Sequence, residues 1–385
     1  MRKILGAGGG TKGHAFPLQE ILKEIKARRP DVKICIAGVK DFEKEIARSL
    51  RADFFQLRLS GLPRRLSFRL FTVPLRAFVE ALRLYLYLRK EAPDAVIVTG
   101  GYTSFPAAMS SLLLKRPLYL HEQNAVPGLV NRIFAHHAEK IFLSLPLEER
   151  YMRGLKGKAI ISGNPIRKEA LAELDTVKAR KILNLSLSKP TVLVFGGSQG
   201  ARSINNAVLR LALWMIEKGR TDFQLILLTG PKNFKAIIDE AEAGLNEKKI
   251  DAFKALIRIY PEWQEMGLLY SAADLVISRS GASTVAEIIA AGKPAVLVPY
   301  PYAAGNHQYY NAMYLVRQNA AVLVENERFS NFSAENLYSF ILEILKNEEL
   351  FLGAKRLKEE RENKLPQAII ADIILSDLNR FTRNQ

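Results

Sequence analysis

Residues 278–287 read Ser-Arg-Ser-Gly-Ala-Ser-Thr-Val-Ala-Glu and follow an apolar run that starts at Asp274. A strand, a glycine turn and a helix N-terminus in that order gather free backbone N–H groups and the positive end of a helix dipole at one point, which receives an anion. The spacing predicts a helix opening at Ser283 or Thr284, with Glu287 one turn in, where a carboxylate reaches a ribose diol. That set suits a nucleotide diphosphate; on its own, a strand-to-helix turn capped by Ser or Thr explains the same residues. A second loop, Gly8-Gly-Gly-Thr-Lys-Gly13-His14, fits the G-x-G-x-x-G spacing through Gly8, Gly10 and Gly13. The acidic residue that would hold an NAD ribose is missing, because Ile36-Ala-Gly-Val-Lys40 occupies its place. What is left is a phosphate-sized loop with Lys12 beside it and His14 at the helix opening. An imidazole, with an ordinary pKa of about 6.5, suits proton transfer near neutrality, and a capping or packing role is the alternative. Two polar runs follow strands in the same way: Thr99-Gly-Gly-Tyr-Thr-Ser-Phe-Pro106, and His121-Glu-Gln-Asn124 after the strand Pro117–Leu120.

The elements that must carry these loops alternate along the chain. Apolar strands are predicted at Lys3–Gly6, Val32–Ala37, Phe54–Leu59, Ala95–Thr99, Pro117–Leu120 and Lys140–Leu143. A second series runs through Thr191–Phe195, Gln224–Leu228, Ile257–Tyr260, Asp274–Ile277, Ala295–Val298 and Ala321–Val324. Amphipathic helices such as Pro17–Arg29 and Ser203–Lys218 lie between them, a pattern of βαβ units and parallel sheets. Each series opens with a strand running into glycines, at Gly8–Gly10 and at Gly196–Gly200. We therefore expect an α/β protein of two domains, residues 1–163 and 164–365, with an amphipathic helix over 366–385 free to pack back on the first. His136 and His137 fall in a helical pattern, Leu129–Lys140, and read as structural.

Length and charge limit the partners. A chain of 385 residues exceeds one compact core, and 48% hydrophobic with 25% charged residues is ordinary globular composition. The single cysteine, Cys35, excludes an internal disulfide and fits a reducing compartment. The N-terminus enters a strand without a signal-peptide core, and no apolar run has spanning length, so a cytoplasmic protein with at most peripheral membrane contact is expected. Residues 1–165 hold 28 of the 56 basic and 14 of the 39 acidic residues, and so carry +14 of the net +17. That asymmetry calls for an anionic partner. In Leu62–Lys90, Arg69, Arg76, Arg83 and Lys90 recur every seven residues, while Phe71, Leu75, Phe78, Val79, Leu82 and Leu86 fall on another side. Such a helix either rests on an anionic bilayer surface, as Arg64, Arg65, Tyr85 and Tyr87 favour, or faces a core with a solvated basic edge.

The segments Gly8–Pro17, Gly100–Pro106, His121–Gly128, Gly163–Arg167, Gly196–Ala201, Ser278–Glu287 and Gln308–Ala312 together closely resemble the MurG family. The resemblance runs in order over nearly the whole chain. It implies the GT-B fold, two Rossmann-like parallel-sheet domains facing a cleft. The activity implied is an inverting transfer of GlcNAc from UDP-GlcNAc to the MurNAc 4-hydroxyl of undecaprenyl-pyrophosphoryl-MurNAc-pentapeptide, in bacterial peptidoglycan synthesis. On the same footing, Thr11, Lys12, Gly13, Asn124, Arg167, Ser198, Ala282, Ser283, Thr284, Val285, Ala286, Glu287 and Gln308 are the donor-binding set. Gly9, Gly10, Gly100, Gly101, Tyr102, Glu122 and Gln123 would border the acceptor, and His14 is the candidate base. The implied location is the cytoplasmic face of the inner membrane, held peripherally by anionic lipid. Nucleic acid is not an expected partner, and no tightly bound metal is expected, since the chain has no Asp-x-Asp pair. Two departures stand out: Lys12 replaces a usual glycine, and His307 occupies a stretch that lacks the usual acid. The rival readings are a GT-B enzyme acting on another lipid, such as a diacylglycerol galactosyltransferase, and a non-catalytic nucleotide-sugar or nucleic-acid binder.

Overall fold

The computed structural model describes residues 2–60, 69–90, 92–155, 157–171, 174–361 and 365–383. The chain divides into two units, Met1–Arg167 with Lys364–Gln385, and Lys168–Asn363. The first is built on seven parallel strands: β1 Lys3–Ala7, β2 Lys33–Gly38, β3 Asp53–Gln56, β4 Ala95–Val98, β5 Leu118–Glu122, β6 Lys140–Leu143 and β7 Ala159–Ile161. Their spatial order is β3-β2-β1-β4-β5-β6-β7. The helices between them are α1 Lys12–Arg28, α2 Asp41–Ser49, α3 Arg69–Leu88, α4 Ser104–Leu113, α5 Leu129–Phe134 and α6 Glu149–Met152. Successive residues of each strand face opposite sides of the sheet, and both sides are apolar because both are covered. Ile4, Ile34 and Ile36 meet Leu18, Ile21, Leu22 and Ile25 of α1 on one side. Leu5, Val96 and Leu120 meet Leu84 of α3 and Ala107 of α4 on the other.

The second unit repeats the plan. Strands β8 Thr191–Phe195, β9 Gln224–Leu228, β10 Ile257–Tyr260, β11 Leu275–Ser278, β12 Ala295–Leu297 and β13 Ala321–Leu323 form one parallel sheet in the order β10-β9-β8-β11-β12-β13. Around it lie α7 Lys168–Leu171, α8 Thr176–Ile182, α9 Arg202–Glu217, α10 Pro231–Ala243, α11 Glu247–Leu256, α12 Met266–Ala272, α13 Ala282–Ala291, α14 His307–Arg317, α15 Asn326–Asn331, α16 Ala334–Leu345 and α17 Glu348–Glu359. The last helix, α18 Pro366–Arg383, belongs to the first unit. Its Ile370, Ala371, Ile374 and Leu378 are buried in the core of α1, and Asp372 pairs with Arg28. The expected α/β class and two Rossmann-like parallel sheets are thus observed.

Several boundaries differ from the sequence reading, for local reasons. Helix α1 begins at Lys12, well before Pro17, because the Thr11 carbonyl accepts the N–H groups of both His14 and Ala15 at 3.2 Å. Pro17 lies inside this helix, where only the bond to the Gly13 carbonyl is forfeited. The helix expected over Leu129–Lys140 stops at Phe134 and passes into a 3₁₀ turn at Ala135–His137 before β6. His121 and Glu122 are the last residues of β5, not part of the loop after it. Helix α13 starts at Ala282, with Gly281 in the cap position.

Candidate functional site

Both sheets reverse winding direction between neighbouring strands, at β1 and β4 in the first unit and at β8 and β11 in the second. Open parallel sheets bind ligands outside the carboxyl ends of such strands. The four loops that leave those ends are Gly8–Thr11, Thr99–Thr103, Gly196–Ala201 and Arg279–Gly281, the loops singled out by their sequence.

In the first unit the two glycine loops touch. Gly101 has φ +79, and a Cβ there would lie 2.1 Å from the Gly9 carbonyl oxygen, so no other residue fits. Gly10 is gripped from both sides. Its N–H donates to Glu43 Oε1 at 2.8 Å, and its carbonyl accepts from Lys40 Nζ at 2.7 Å. The other Glu43 oxygen accepts the N–H groups of Val39 and, at 2.7 Å, of Lys40. Lys40, which stands where an NAD-binding domain would carry its ribose acid, is therefore a strut for the loop. The Tyr102 ring lies against Gly10, and burial, with a smaller contribution from Glu43, pushes its phenol pKa up. Thr11 caps α1 through its carbonyl, and Thr11 and Gly13 are exposed at the opening of a helix with no acid in its first turn. The Lys12 side chain lies outside the described residues.

His14, in the first turn of α1, is half-buried and faces the start of the Thr99–Thr103 loop. Its Nδ1 lies 3.0 Å from the Thr99 carbonyl and 2.9 Å from Gln123 Oε1. Thr99 Oγ1 donates to the His14 carbonyl at 2.7 Å, which fixes the turn that carries the ring. Gln123 and His121 are buried. The Gln123 amide nitrogen donates to the Thr99 carbonyl at 2.8 Å and to His121 Nδ1 at 2.9 Å. On the other edge, His121 Nε2 lies 3.3 Å from the Gly163 carbonyl and 3.4 Å from Ser144 Oγ. Burial, reinforced by the nearby His14 charge and opposed by the Gly163 bond, lowers the His121 pKa to about 4, so this ring is neutral near neutrality.

Glu122 takes a different part from the acceptor contact assigned to it. One oxygen accepts Asn124 N–H at 3.0 Å; the other accepts Gly128 N–H at 2.9 Å and Asn131 Nδ2 at 2.7 Å. The carboxylate is buried and engaged with its own loop, so it shapes residues 123–131 rather than meeting a ligand. Gln123 is likewise walled in by two histidines. Asn124 remains half-exposed beside them, and the Arg167 guanidinium stacks 4.7 Å from the centre of the Phe16 ring on α1.

In the second unit, Ser198 stands exposed in the Gly196–Gly200 turn ahead of α9. The first turn of α13 presents Ala282, Ser283 and Thr284, half-exposed, again with no acid among them. Val285 and Ala286 face inward, and the Val285 N–H donates to the Gly281 carbonyl at 2.9 Å. Glu287 Oε2 accepts from the Tyr270 hydroxyl at 3.1 Å, which holds the carboxylate at one azimuth of the helix. Gln308, on α14, accepts Tyr300 N–H at 2.9 Å, and Ser280 Oγ donates to the Gln308 carbonyl at 2.7 Å. His307 Nδ1 lies 2.8 Å from the Ala304 carbonyl. Sequence reasoning missed Arg279. Its guanidinium is buried beneath these loops and donates to the Val298 and Pro299 carbonyls, Ser203 Oγ and Asn326 Oδ1, all neutral, at 2.8–3.0 Å. Burial lowers its pKa.

Helix α3 turns one face inward and leaves another outside. Val73, Ala81, Leu84 and Leu88 face inward, while Leu75 is 67% and Phe78 58% exposed, with Val79, Leu82, Leu86 and Tyr87 about half exposed along the same stripe. Arg76 is exposed among them, and Arg83 pairs with Glu80. The side chains of Arg69 and Phe71, and residues 61–68 with Arg64 and Arg65, lie outside the described residues. No described helix is long and apolar enough to cross a membrane.

Comparison with known proteins agrees with this layout. Residues 4–143 match the glycosyltransferase family 28 N-terminal domain, and residues 191–369 match the glycosyltransferase family 28 C-terminal domain. A protein of Halothermothrix orenii is 38% identical over 364 residues, covering 93% of this chain and 92% of its own length. One of Chlorobaculum tepidum is 38% identical over 354 residues, covering 90% and 91%. Both carry the name UDP-N-acetylglucosamine–N-acetylmuramyl-(pentapeptide) pyrophosphoryl-undecaprenol N-acetylglucosamine transferase. Among solved structures, MurG of Acinetobacter baumannii has the same fold, with a TM-score of 0.74, 23% identity and coverage of 98% and 100%.

Proposed function

The chain belongs to the MurG family of glycosyltransferases, and on that premise we infer that it moves GlcNAc from UDP-GlcNAc to the MurNAc 4-hydroxyl of undecaprenyl-pyrophosphoryl-MurNAc-pentapeptide. Within the molecule two observations support this assignment: in the second unit an anion-receiving loop with a carboxylate on α13, and in the first a histidine whose Nδ1 faces two oxygen acceptors. In the reaction the MurNAc O4 attacks the anomeric carbon of the α-linked donor. A C–O bond forms on one face as the bond to the β-phosphate oxygen breaks on the other, giving a β-linked disaccharide and UDP.

His14 receives the O4 proton in this reading, and Nε2 is the atom that does so. The departing diphosphate gains negative charge, which the N-termini of α9 and α13 offset, with Ser198 and the backbone N–H groups of Ala282–Thr284 as donors. Glu287 takes the ribose hydroxyls, and Gln308 donates to the sugar through its amide N–H groups. Thr11, Gly13, Asn124 and Arg167 border the donor sugar, and Gly9, Gly10, Gly100, Gly101 and Tyr102 form the acceptor's pyrophosphate bed. The reading needs no tightly bound metal, in keeping with the lack of an Asp-x-Asp pair in the sequence.

The acceptor is a membrane lipid, and the exposed Leu75–Tyr87 stripe of α3 supports docking on an anionic bilayer face, the cytoplasmic one where UDP-sugars are found. The basic excess of the first 165 residues favours the same surface. Purified protein with UDP-GlcNAc and a short-chain lipid I analogue tests the whole reading. Acceptor-dependent UDP release with disaccharide formation is expected. Tight donor binding without product would place the acceptor elsewhere, and absence of both would end the assignment.

A further inference from the structure

We propose that Gln123 is a positioning residue that locks the His14 proton onto Nδ1, with buried His121 holding the Gln123 amide in place. The proposal rests on the reading of His14 as the base. Its argument starts at the Thr99 carbonyl, which can only accept. That carbonyl lies 2.8 Å from one end of the Gln123 amide. The end facing it must therefore be the NH2 group, since the flipped amide would press two carbonyl oxygens together. With the nitrogen fixed there, Gln123 Oε1 is the atom 2.9 Å from His14 Nδ1.

His14 Nδ1 then faces two acceptors, Gln123 Oε1 and, at 3.0 Å, the Thr99 carbonyl. An unprotonated Nδ1 would set a lone pair against both, so the proton resides on Nδ1 and the lone pair on Nε2. A neutral histidine side chain in water prefers the opposite tautomer, with the proton on Nε2. The network thus reverses the intrinsic preference and presents the basic nitrogen outward. The second hydrogen of the Gln123 NH2 reaches His121 Nδ1 at 2.9 Å, which must accept, so His121 carries its proton on Nε2. That proton points at the Gly163 carbonyl, 3.3 Å away. His121 is fully buried and never needs to move a proton; it fills the last acceptor position of a chain running from Gly163 to His14.

Nitrogen-detected NMR on the full chain, labelled at histidine, reads both tautomers directly in the absence of substrate. Five histidines are present, and His14→Gln assigns the one of interest. The expected spectrum shows His14 protonated on Nδ1 and His121 on Nε2. Gln123→Met removes the acceptor and should return His14 to the Nε2-protonated form. In that variant kcat should fall about 10- to 100-fold, a fraction of a general-base contribution, with the KM for UDP-GlcNAc held within about twofold. A wild-type His14 protonated on Nε2, or an unchanged tautomer in Gln123→Met, overturns the proposal. Full activity in His14→Ala with the tautomers as expected would instead remove the base assignment alone.

Discussion

Acidification offers a quantitative check on the buried His121. In the unfolded chain an imidazole takes up its proton near pH 6.5, while in the folded protein burial lowers that value to about 4. Above pH 6.5 both states are neutral at this residue, and its contribution to stability is complete. As the pH falls from there toward 4, the unfolded chain binds a proton that the native chain refuses, so stability is lost across that window and the loss levels off below it. A tenfold difference in proton affinity between the two states is worth about 1.4 kcal/mol, which makes the full effect about 3 kcal/mol. Carboxylates titrate at the low end of the same window, so the measurement must be a difference. Urea unfolding at steps between about pH 7 and pH 4, followed by a probe in the first unit, should show the wild type losing about 3 kcal/mol more than His121→Leu. The leucine variant starts less stable, because Gln123 loses an acceptor, but that deficit does not depend on pH. Parallel slopes for the two proteins, or a folded-state His121 resonance that titrates near 6.5, would refute the reasoning.

Four further outcomes follow from the same geometry. His14→Ala should lower kcat by about 10²- to 10⁴-fold with calorimetric UDP-GlcNAc affinity retained. Glu43→Gln places an NH2 group among backbone N–H donors and should cost about 3 kcal/mol in chemical denaturation while raising the acceptor KM. Replacing Phe78 and Leu82 by serine should weaken sedimentation with anionic vesicles by about 2–3 kcal/mol, roughly 30- to 150-fold, without moving Tm. Ile374→Ala should destabilise the first unit by about 2–5 kcal/mol, seen as an earlier urea transition in that unit alone.

Much of this was legible because the relevant signals are local. Apolar runs ending in glycines marked the central strands and the loops at both switch points, and His14 and Glu287 stood out by their offset from those glycines. What escaped depended on partners distant in the chain. Glu43 lies 33 residues from Gly10, and nothing near it announces a strut. Lys40 was legible only as a missing acid. Polar residues read as loop, so His121 and Glu122 were placed beyond β5, although hydrogen bonds to Gly163 and Asn131 let them end it inside the core. The short edge strand β7 passed unnoticed, three residues being too few for a period to show. On α3 the pattern singled out one apolar side, Leu75 to Leu86, whereas packing against α4 buries Val73, Ala81, Leu84 and Leu88 and leaves that side outside.

The attachment of α18 to α1 also sets an order of events during synthesis. Chains generally mature from the N-terminus as they leave the ribosome. Here the second unit, Lys168–Asn363, is continuous and can close as soon as it emerges. The first cannot, because Ile21 and Leu22 wait for Ile370, Ile374 and Leu378, some 350 residues later. The unit that carries the α13 loop is therefore finished before the unit that carries His14 and the exposed stripe of α3. A nascent chain exposes that apolar stripe on an unfinished scaffold for most of its translation, so the stripe is open to contact before the loops around His14 are fixed.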